Sequence, residues 1–479
     1  MDSAAAALDR LTAIATSPPV ARLAAAFEAA GAELALVGGP VRDAFLSRPA
    51  LDLDFTTDAR PERILEIVTP ISSARWDVGR AFGTIGARVS GEKVEITTYR
   101  SDAYTPDSRK PEVRFGDTLE EDLVRRDFTV NAMALRLPAR VLVDPTGGIE
   151  DLLGRRLRTP QAPEVSFSED PLRMLRAARF AAQLGFAVEE ETRAAMGRLA
   201  DRLGIVSPER MKEEIARLLL APAPRPGLEL LVASGIADLI LPELPALRLT
   251  VDAEHRHKDV YEHSLTVLEQ TIELERRRDH EPDLVLRLAA LLHDIGKPAT
   301  RRFERGGAVT FHHHDVVGAK LARKRLRALR FDNDTIDRTA KLIELHQRFF
   351  GYTEGAWTDS AVRRYARDAG DQLEQLHILT RADVTTRNRR KAERLAAAYD
   401  DIERRIAELE EQEELAAIRP DLDGEQIMAI LGVRPGPVVG RAYKHLLELR
   451  LDEGPLGEEE ATRRLREWWS ALPENQGAS

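Results

Sequence analysis

Cysteine is absent from all 479 residues. Disulfides and thiolate metal sites are therefore excluded, and any metal must rest on His, Asp and Glu. Also missing is an apolar run near the roughly 20 residues that span a bilayer. The opening stretch MDSAAAALDRLTAIATS is interrupted by Asp2, Asp9 and Arg10 and lacks a basic start followed by an apolar core, which reads as no signal peptide. The expectation is a soluble, cytoplasmic protein. Nor is positive charge in excess. A formal net charge of -10 argues against indiscriminate binding of polyanions, although a local basic patch can still hold one.

Mixed strand and helix character is confined to residues 34–145. LALVGG, DLDFTT, TIGARVS, KVEITTYR and RVLVDP read as strands, from β-branched content and bounding Gly, Pro or Asp. Helical stretches such as VRDAFLS and PERILEIV lie between them. From about residue 150 strand signals fade, and apolar residues recur at spacings of three and four, as in DLVLRLAALLHDIG. The expected fold class is α+β: a small mixed-sheet head followed by a mostly helical neck, body and histidine-bearing domain. The expected boundaries are an N-terminal extension (1–20), the head (21–150), the neck (151–225), the body (226–257), the histidine-bearing domain (258–386) and a C-terminal helical region (387–479). The Pro-rich APAPRPG (221–227) punctuates one of these boundaries. A long charged helix is expected over 389–418.

Within ALDLDFTT, Asp52 and Asp54 alternate along a strand and so point to the same side. Two like charges held together are costly unless a cation sits between them. Magnesium takes oxygen ligands, commonly one or two carboxylates plus substrate phosphates. Upstream, VGGPVRD (37–43) ends a strand at Gly38–Gly39 and opens a helix, where free backbone N–H groups suit a triphosphate. Arg42 follows one turn later, and Glu95 in KVEITTYR supplies a third carboxylate from a later strand. Such a set suits metal-aided phosphoryl or nucleotidyl transfer.

VGGPVRD followed by LDLDFTT resembles the signature of class II nucleotidyltransferases, the family of bacterial tRNA CCA-adding enzymes and poly(A) polymerases. The resemblance continues in order through VRRDFTVNAMAL (124–135), DPTGGIEDLLGRRLRT (144–159), EDPLRMLRAARFAAQLGF (169–186) and SPERMKEEIARLL (207–219). It implies that Asp52 and Asp54 bind Mg2+, with Glu95 as a further catalytic carboxylate. It also implies that Gly38, Gly39, Arg42 and Arg126 contact the incoming nucleotide. By the same resemblance Asp170 and Arg173, three apart on one helix face, read the base edge of CTP or ATP, while Arg176 and Arg179 continue the stripe toward the nucleotide. Asp accepts from an exocyclic amino group and Arg donates to a ring nitrogen or carbonyl, so UTP and GTP would leave buried polar groups unpaired.

The polar stretch 97–122 reads as a mobile loop beside this site. DVGRAFGTIGARV (77–89) is closer to the CCA-adding pattern than to the basic run of poly(A) polymerases. The implied function is template-independent addition of CCA to the tRNA 3′ end from CTP and ATP, with release of pyrophosphate. A poly(A) polymerase, or an enzyme adding only CC or only A, stands as the near alternative. The basic stretches RRLR (155–158) and ARKRLRALR (322–330) are candidate tRNA contacts.

A second constellation lies further on. YEHSLTVL (His263), ALLHDIGKP (His293 and Asp294) and TRADVTT (Asp383) resemble, in that order, the HD superfamily of metal-dependent phosphohydrolases. Neutral imidazoles with carboxylates leave coordination positions open for water and phosphate. The resemblance implies a divalent transition metal on these four residues, with His314 and His346 available for a second ion. A phosphohydrolase carrying a degenerate head is the reading from a different class; the intact Asp52 and Asp54 argue against it. Finally, residues 420–454 resemble the short helical module at the end of bacterial members, with Gly432 and Gly436 marking a helix–turn–helix joint.

Overall fold

The four residues of LALV are buried at every position, as suits an interior strand of the head's sheet. In this computed structural model the described residues are 4–49, 52–100, 115–248, 259–305, 309–349, 351–352, 357–386, 388–413 and 419–472. They form two compact units, Met1–Pro245 with Ala328–Phe331, and Ala246–Arg327 with Asp332–Ser479.

In the first unit a seven-stranded mixed sheet is built from β1 (Leu34–Val37), β2 (Leu53–Thr57), β3 (Ser72–Trp76), β4 (Thr84–Val89), β5 (Glu92–Thr98), β6 (Ala134–Leu137) and β7 (Val141–Val143). Their order across the sheet is β3-β4-β5-β2-β1-β6-β7. β2 and β5 run parallel, and the other neighbours pair antiparallel. Ala35 and Val37 of β1 share a core cluster with Ala134, Tyr99 and the Leu119 and Leu123 side chains of the helix Leu119–Val124. Each fully buried aliphatic side chain of this kind contributes about 1.5–3 kcal/mol. The expected α+β class holds, with two strands beyond those read from the pattern. β3 lies at the sheet edge with its middle residues exposed, so no apolar alternation marks it. β6 is the short ALRL, which becomes a strand by pairing with the buried β1.

The polar stretch expected as a loop over 97–122 is only partly one. Thr97 and Thr98 end β5, and residues 119–124 are helical; residues 101–114 lie outside the described residues.

Beyond the sheet, the helix Leu172–Leu184 is the neck's axis, and the helices Pro208–Leu219 and Arg225–Ala233 both pack along it. APAPRPG therefore turns the chain between two helices that share one partner, and the unit runs on to Pro245. Close approach makes this possible. A Cβ on Gly227 would stand 2.3 Å from the Ala178 carbonyl oxygen. RRLR also has a structural duty here: Arg156 and Arg158 both pair with the buried Asp151, at 2.7 and 2.9 Å.

In the second unit the helices Val260–Arg277, Leu284–Leu292, His314–Ala328, Asn333–Leu345 and Leu373–Ala382 bring the histidines together. Lys324 and Arg327 of the other basic stretch are exposed there. The charged helix spans Arg389–Glu413, and residues 414–418 of that expectation lie outside the described residues. Helices Gly424–Leu431, Pro437–Glu453 and Glu458–Ala471 close on a core of Leu422, Ile427, Ala442, Leu446 and Leu465. Gly432 ends the first of these and Gly436 precedes the second, as the joint reading expected.

The packing of Gly227 yields a direct expectation. Gly227→Val will push the helix Arg225–Ala233 off its neighbour and cost about 2 kcal/mol, read as a lower midpoint in denaturant unfolding. Gly204→Ala, whose added Cβ meets nothing within 4 Å, will leave the midpoint nearly unchanged.

Candidate active site and metal centre

Parallel register places Asp54 of β2 directly opposite Glu95 of β5. Asp52 stands just ahead of β2, exposed, where the sequence pattern had it inside the strand. Burial, then the charge of Glu95, push the Asp54 carboxyl up to about 6, with Asp52 adding to the rise and Arg126 opposing it. Glu95 is itself paired with Lys93 at 2.8 Å. Three carboxylates thus crowd one edge of the site, an oxygen-donor set that fits a divalent cation.

The turn before the first helix of the head lies alongside. Gly38 takes φ 74°, a left-handed conformation that favours glycine, and a Cβ there would come within 3.4 Å of Arg126 Nη1. Arg42 donates to both Asp43 oxygens (2.9 and 3.0 Å) and to Asn131 Oδ1 (2.7 Å). Arg126 pairs with Asp122 Oδ2 at 3.1 Å.

The neck residues sit on the same framework. Asp170 precedes the helix, which begins at Leu172, so the expected shared helical face with Arg173 is replaced by a bend. Its carboxylate accepts from the Leu172 N–H (3.1 Å) and from Arg210 Nη2 (3.1 Å). Arg173 donates to Ser166 Oγ (2.8 Å) and to the Arg125 carbonyl (2.6 Å). Arg176 pairs with Asp127 at 2.6 Å, and Arg179 with the buried Glu214 at 2.6 Å. The block SPERMKEEIARLL thereby supplies the partners of both Asp170 and Arg179.

Sequence reasoning missed the residues that hold these arginines. Asp122 is fully buried and takes Arg125, Arg126, the Thr56 hydroxyl and the Arg100 N–H. Arg126 and Arg125 hold its carboxyl below the ordinary range against the cost of burial. Phe180 lies under the guanidinium groups of Arg42, Arg179 and Arg176, at 5.5, 4.1 and 5.9 Å, and meets Phe128 edge-on. The i, i+4 spacing of Arg176 and Phe180 was the available signal for Phe180, and the i+3 and i+4 spacing of Arg125 and Arg126 from Asp122 was the signal for Asp122, whose bonds with the Thr56 hydroxyl and the Arg100 N–H no local spacing marks.

In the second unit the six expected ligands converge. His263 Nε2, His293 Nε2 and an Asp383 oxygen form one trio, and Asp294, His314 and His346 another, with the ligand atoms in each within 4.8 Å of one another. Asp294 bridges the two: Oδ2 lies 3.3 Å from His293 Nε2 and Oδ1 lies 3.4 Å from His314 Nε2. His293, His314 and His346 direct Nδ1 at the carbonyls of Ala290, Phe311 and Ile343, at 2.9, 2.8 and 2.5 Å. A carbonyl only accepts, so Nδ1 carries the proton and Nε2 presents its lone pair inward, as a metal ligand must. Buried Asp294 Oδ1, His314 Nε2 and His346 Nε2 have no hydrogen-bond partner among the described residues.

Three further facts fit a cation here. His293, His346 and Asp383 each cap the C-terminus of a helix, where the dipole favours positive charge. Against the cost of burial, the hydrogen bond with His263 draws Asp383 down to about 2. Burial pulls His346 down to about 4, in keeping with a neutral imidazole whose Nε2 is a lone-pair donor.

A carboxylate-lined mixed sheet followed by a neck that packs on it, with a separate histidine–aspartate centre, defines a metal-dependent nucleotidyltransferase joined to an HD domain. Residues 34–158 match the poly A polymerase head domain, residues 185–247 a region described as "Probable RNA and SrmB- binding site of polymerase A", and residues 260–388 the HD domain. A CC-adding tRNA nucleotidyltransferase of Thermus thermophilus is 35% identical over 450 residues, covering 92% of this chain and 95% of its own. An A-adding tRNA nucleotidyltransferase of Deinococcus radiodurans is 36% identical over 446 residues, covering 91% and 95%. The structure of the Bacillus stearothermophilus CCA-adding enzyme in complex with CTP aligns with TM-score 0.65 and 26% identity, covering 96% of this chain and all of that one. The chain belongs to the tRNA nucleotidyltransferase family.

Asp122 gives this framework a pH signature. Its folded pKa lies below the ordinary 3.8, so the stability it contributes is present above that value and is lost as pH falls through the folded pKa. Asp122→Asn will cost about 3 kcal/mol at neutral pH by leaving Arg125 and Arg126 without their buried partner. It will also flatten the acid limb of a stability-against-pH curve measured by urea unfolding.

Proposed function

We propose that this chain adds CCA to the 3′ end of tRNA from CTP and ATP, releasing pyrophosphate, with Asp52, Asp54 and Glu95 as the catalytic centre. The observation that carries the reading is the facing of Asp54 and Glu95, a half-buried acid pair whose repulsion a hard cation relieves. Asp52 and Asp54 would hold Mg2+, which when bound neutralises phosphate charge and polarises the reacting phosphorus. Gly38 and Gly39 keep the backbone beside Arg42 and Arg126 clear of side chains, leaving room for a triphosphate between the turn and the two guanidinium groups. Asp170 and Arg173, each held by neighbours before any nucleotide arrives, would present an acceptor and a donor to the base edge, a preset pair that costs little to organise. Arg176 and Arg179, stacked against Phe180, hold that edge of the neck in place. We expect the protein to act in the cytoplasm.

A second reading has a specific observation behind it. The two relatives that match nearly from end to end are named for adding only CC and only A, and both half-reactions need the same metal site. The HD centre would hold a divalent transition metal and hydrolyse a phosphate ester, a second activity beside nucleotide addition.

One assay separates these outcomes. A tRNA lacking its terminus is incubated with Mg2+ and labelled CTP, ATP, UTP or GTP, singly and as the CTP–ATP pair. Two C residues followed by one A is the expected product; A alone or CC alone assigns a half-enzyme, and long A tracts overturn the reading. Replacing Asp52 and Asp54 by Asn will lower incorporation by roughly a thousandfold or more. Independently, the purified protein will retain a divalent transition metal by elemental mass spectrometry. His293→Ala with Asp294→Asn will remove it, and full retention would refute the HD assignment.

A further inference from the structure

The register that sets Asp54 opposite Glu95 continues across the sheet. Glu95 of β5 is paired with Gly86 of β4, and Gly86 with Trp76 of edge strand β3. Directly opposed residues share a face, so Asp54, Glu95, Gly86 and Trp76 form one row on the site's side of the sheet. The intervening Ile85, Ala87, Val94 and Ile96 point the other way and are buried. On the open face, the bare Cα of Gly86 makes room for a ring. A Cβ there would stand 1.8 Å from Trp76 Nε1 and 2.1 Å from Cε2, so the indole lies back across β4 toward Glu95. Trp76 is half-buried. Lys93 Nζ, 2.8 Å from a Glu95 carboxylate oxygen, is 5.6 Å from the ring centre. Arg88 is exposed and stands opposite Lys93 on the same face.

Neighbouring strands lie about 4.8 Å apart, so a ring over β4 is about 10 Å from the backbone of β2, a gap that one nucleotide can bridge. The other side of Asp54 is taken. There β1 ends in the Gly38–Gly39 turn beside Arg42 and Arg126, where the proposed function seats the triphosphate. In-line displacement brings the attacking hydroxyl in opposite the leaving pyrophosphate, which sends the RNA end over β5 and β4. The base at that end is not constant, because each addition replaces it. Hydrogen bonds to one base edge would fail at the next step, whereas stacking accepts any base. We propose that Trp76, seated over Gly86, is a positioning residue that stacks the 3′-terminal base of the RNA being extended, with Lys93 and Arg88 beside its phosphates, which rests on reading the head as the site of nucleotide addition.

The test uses the full chain, a tRNA trimmed of its terminus and labelled CTP. Trp76→Ala will raise KM for the tRNA about tenfold while leaving KM for CTP unchanged, and Trp76→Phe will recover most of the loss. Gly86→Ala, whose methyl displaces the indole, will raise KM for the tRNA with Trp76 still present. A trimmed tRNA carrying 2-aminopurine at its 3′ end will lose fluorescence on binding the unmodified protein and keep it on binding Trp76→Ala. An unchanged KM for tRNA in Trp76→Ala, equal rises in both KM values, failure of Phe to recover the loss, or no quenching by the unmodified protein would overturn the assignment. So would a lower denaturation midpoint without the KM split, the result of a ring that only fills the space over Gly86. An unmodified protein that adds no nucleotide to trimmed tRNA refutes the function itself, and the quenching, which needs no turnover, still reads the stacking. One that adds CCA while ignoring Trp76 sinks the platform alone.

Discussion

Two carboxylates on adjacent parallel strands, half out of water, repel each other unless positive charge is near. The pairing of β2 with β5 imposes that condition on Asp54 and Glu95, and much of the head is arranged around it. Asp122 reaches from the helix under the sheet to hold Arg126, whose charge lowers the Asp54 pKa against burial and Glu95. The neck continues the arrangement, since Arg173 bonds the Arg125 carbonyl and so ties the start of the neck helix to the segment that carries Arg126. A site of this kind is electrostatically incomplete in itself, which is what makes it receptive to a dication and a polyphosphate.

The HD centre reaches a similar end by different chemistry. There the donors are mainly imidazoles, kept neutral and aimed inward by carbonyls at their other nitrogen. Helix C-termini supply the negative field that paired carboxylates supply in the head. Oxygen-only donors suit a hard ion that keeps water and phosphate in its shell, whereas mixed imidazole and carboxylate donors suit softer divalent ions. One chain thus carries two candidate sites for divalent cations, built from different donor sets.

Arginine is abundant in this protein, yet much of it is committed. Arg156 and Arg158 go to Asp151, Arg179 to Glu214, and Arg173 to Ser166 and the Arg125 carbonyl. Such pairs fix backbone segments in register, because a buried carboxylate without its guanidinium is strongly destabilising. They also remove those charges from any RNA-facing surface. In a stretch such as RRLR, two of the three arginines are thus tied to the buried Asp151 once folded.

Legible from the chain alone were the features set by local chemistry. The acid pair at Asp52 and Asp54, the Gly38–Gly39 turn, the long charged helix and the joint at Gly432 follow from residue type and short spacing, whereas the six HD ligands, spread over more than a hundred residues, were legible only through the resemblance to the HD superfamily. Edge strand β3 and the short β6 were not legible, because each becomes a strand only through a neighbour it meets in space. The same holds for the two consecutive helices on either side of APAPRPG, which both pack on the helix Leu172–Leu184. Asp170 left its helix, Asp122 became a hub and Asp294 became a bridge for the same reason. The identities of charged groups are written in the sequence, but which opposite charge neutralises each one depends on distances that only the folded chain sets.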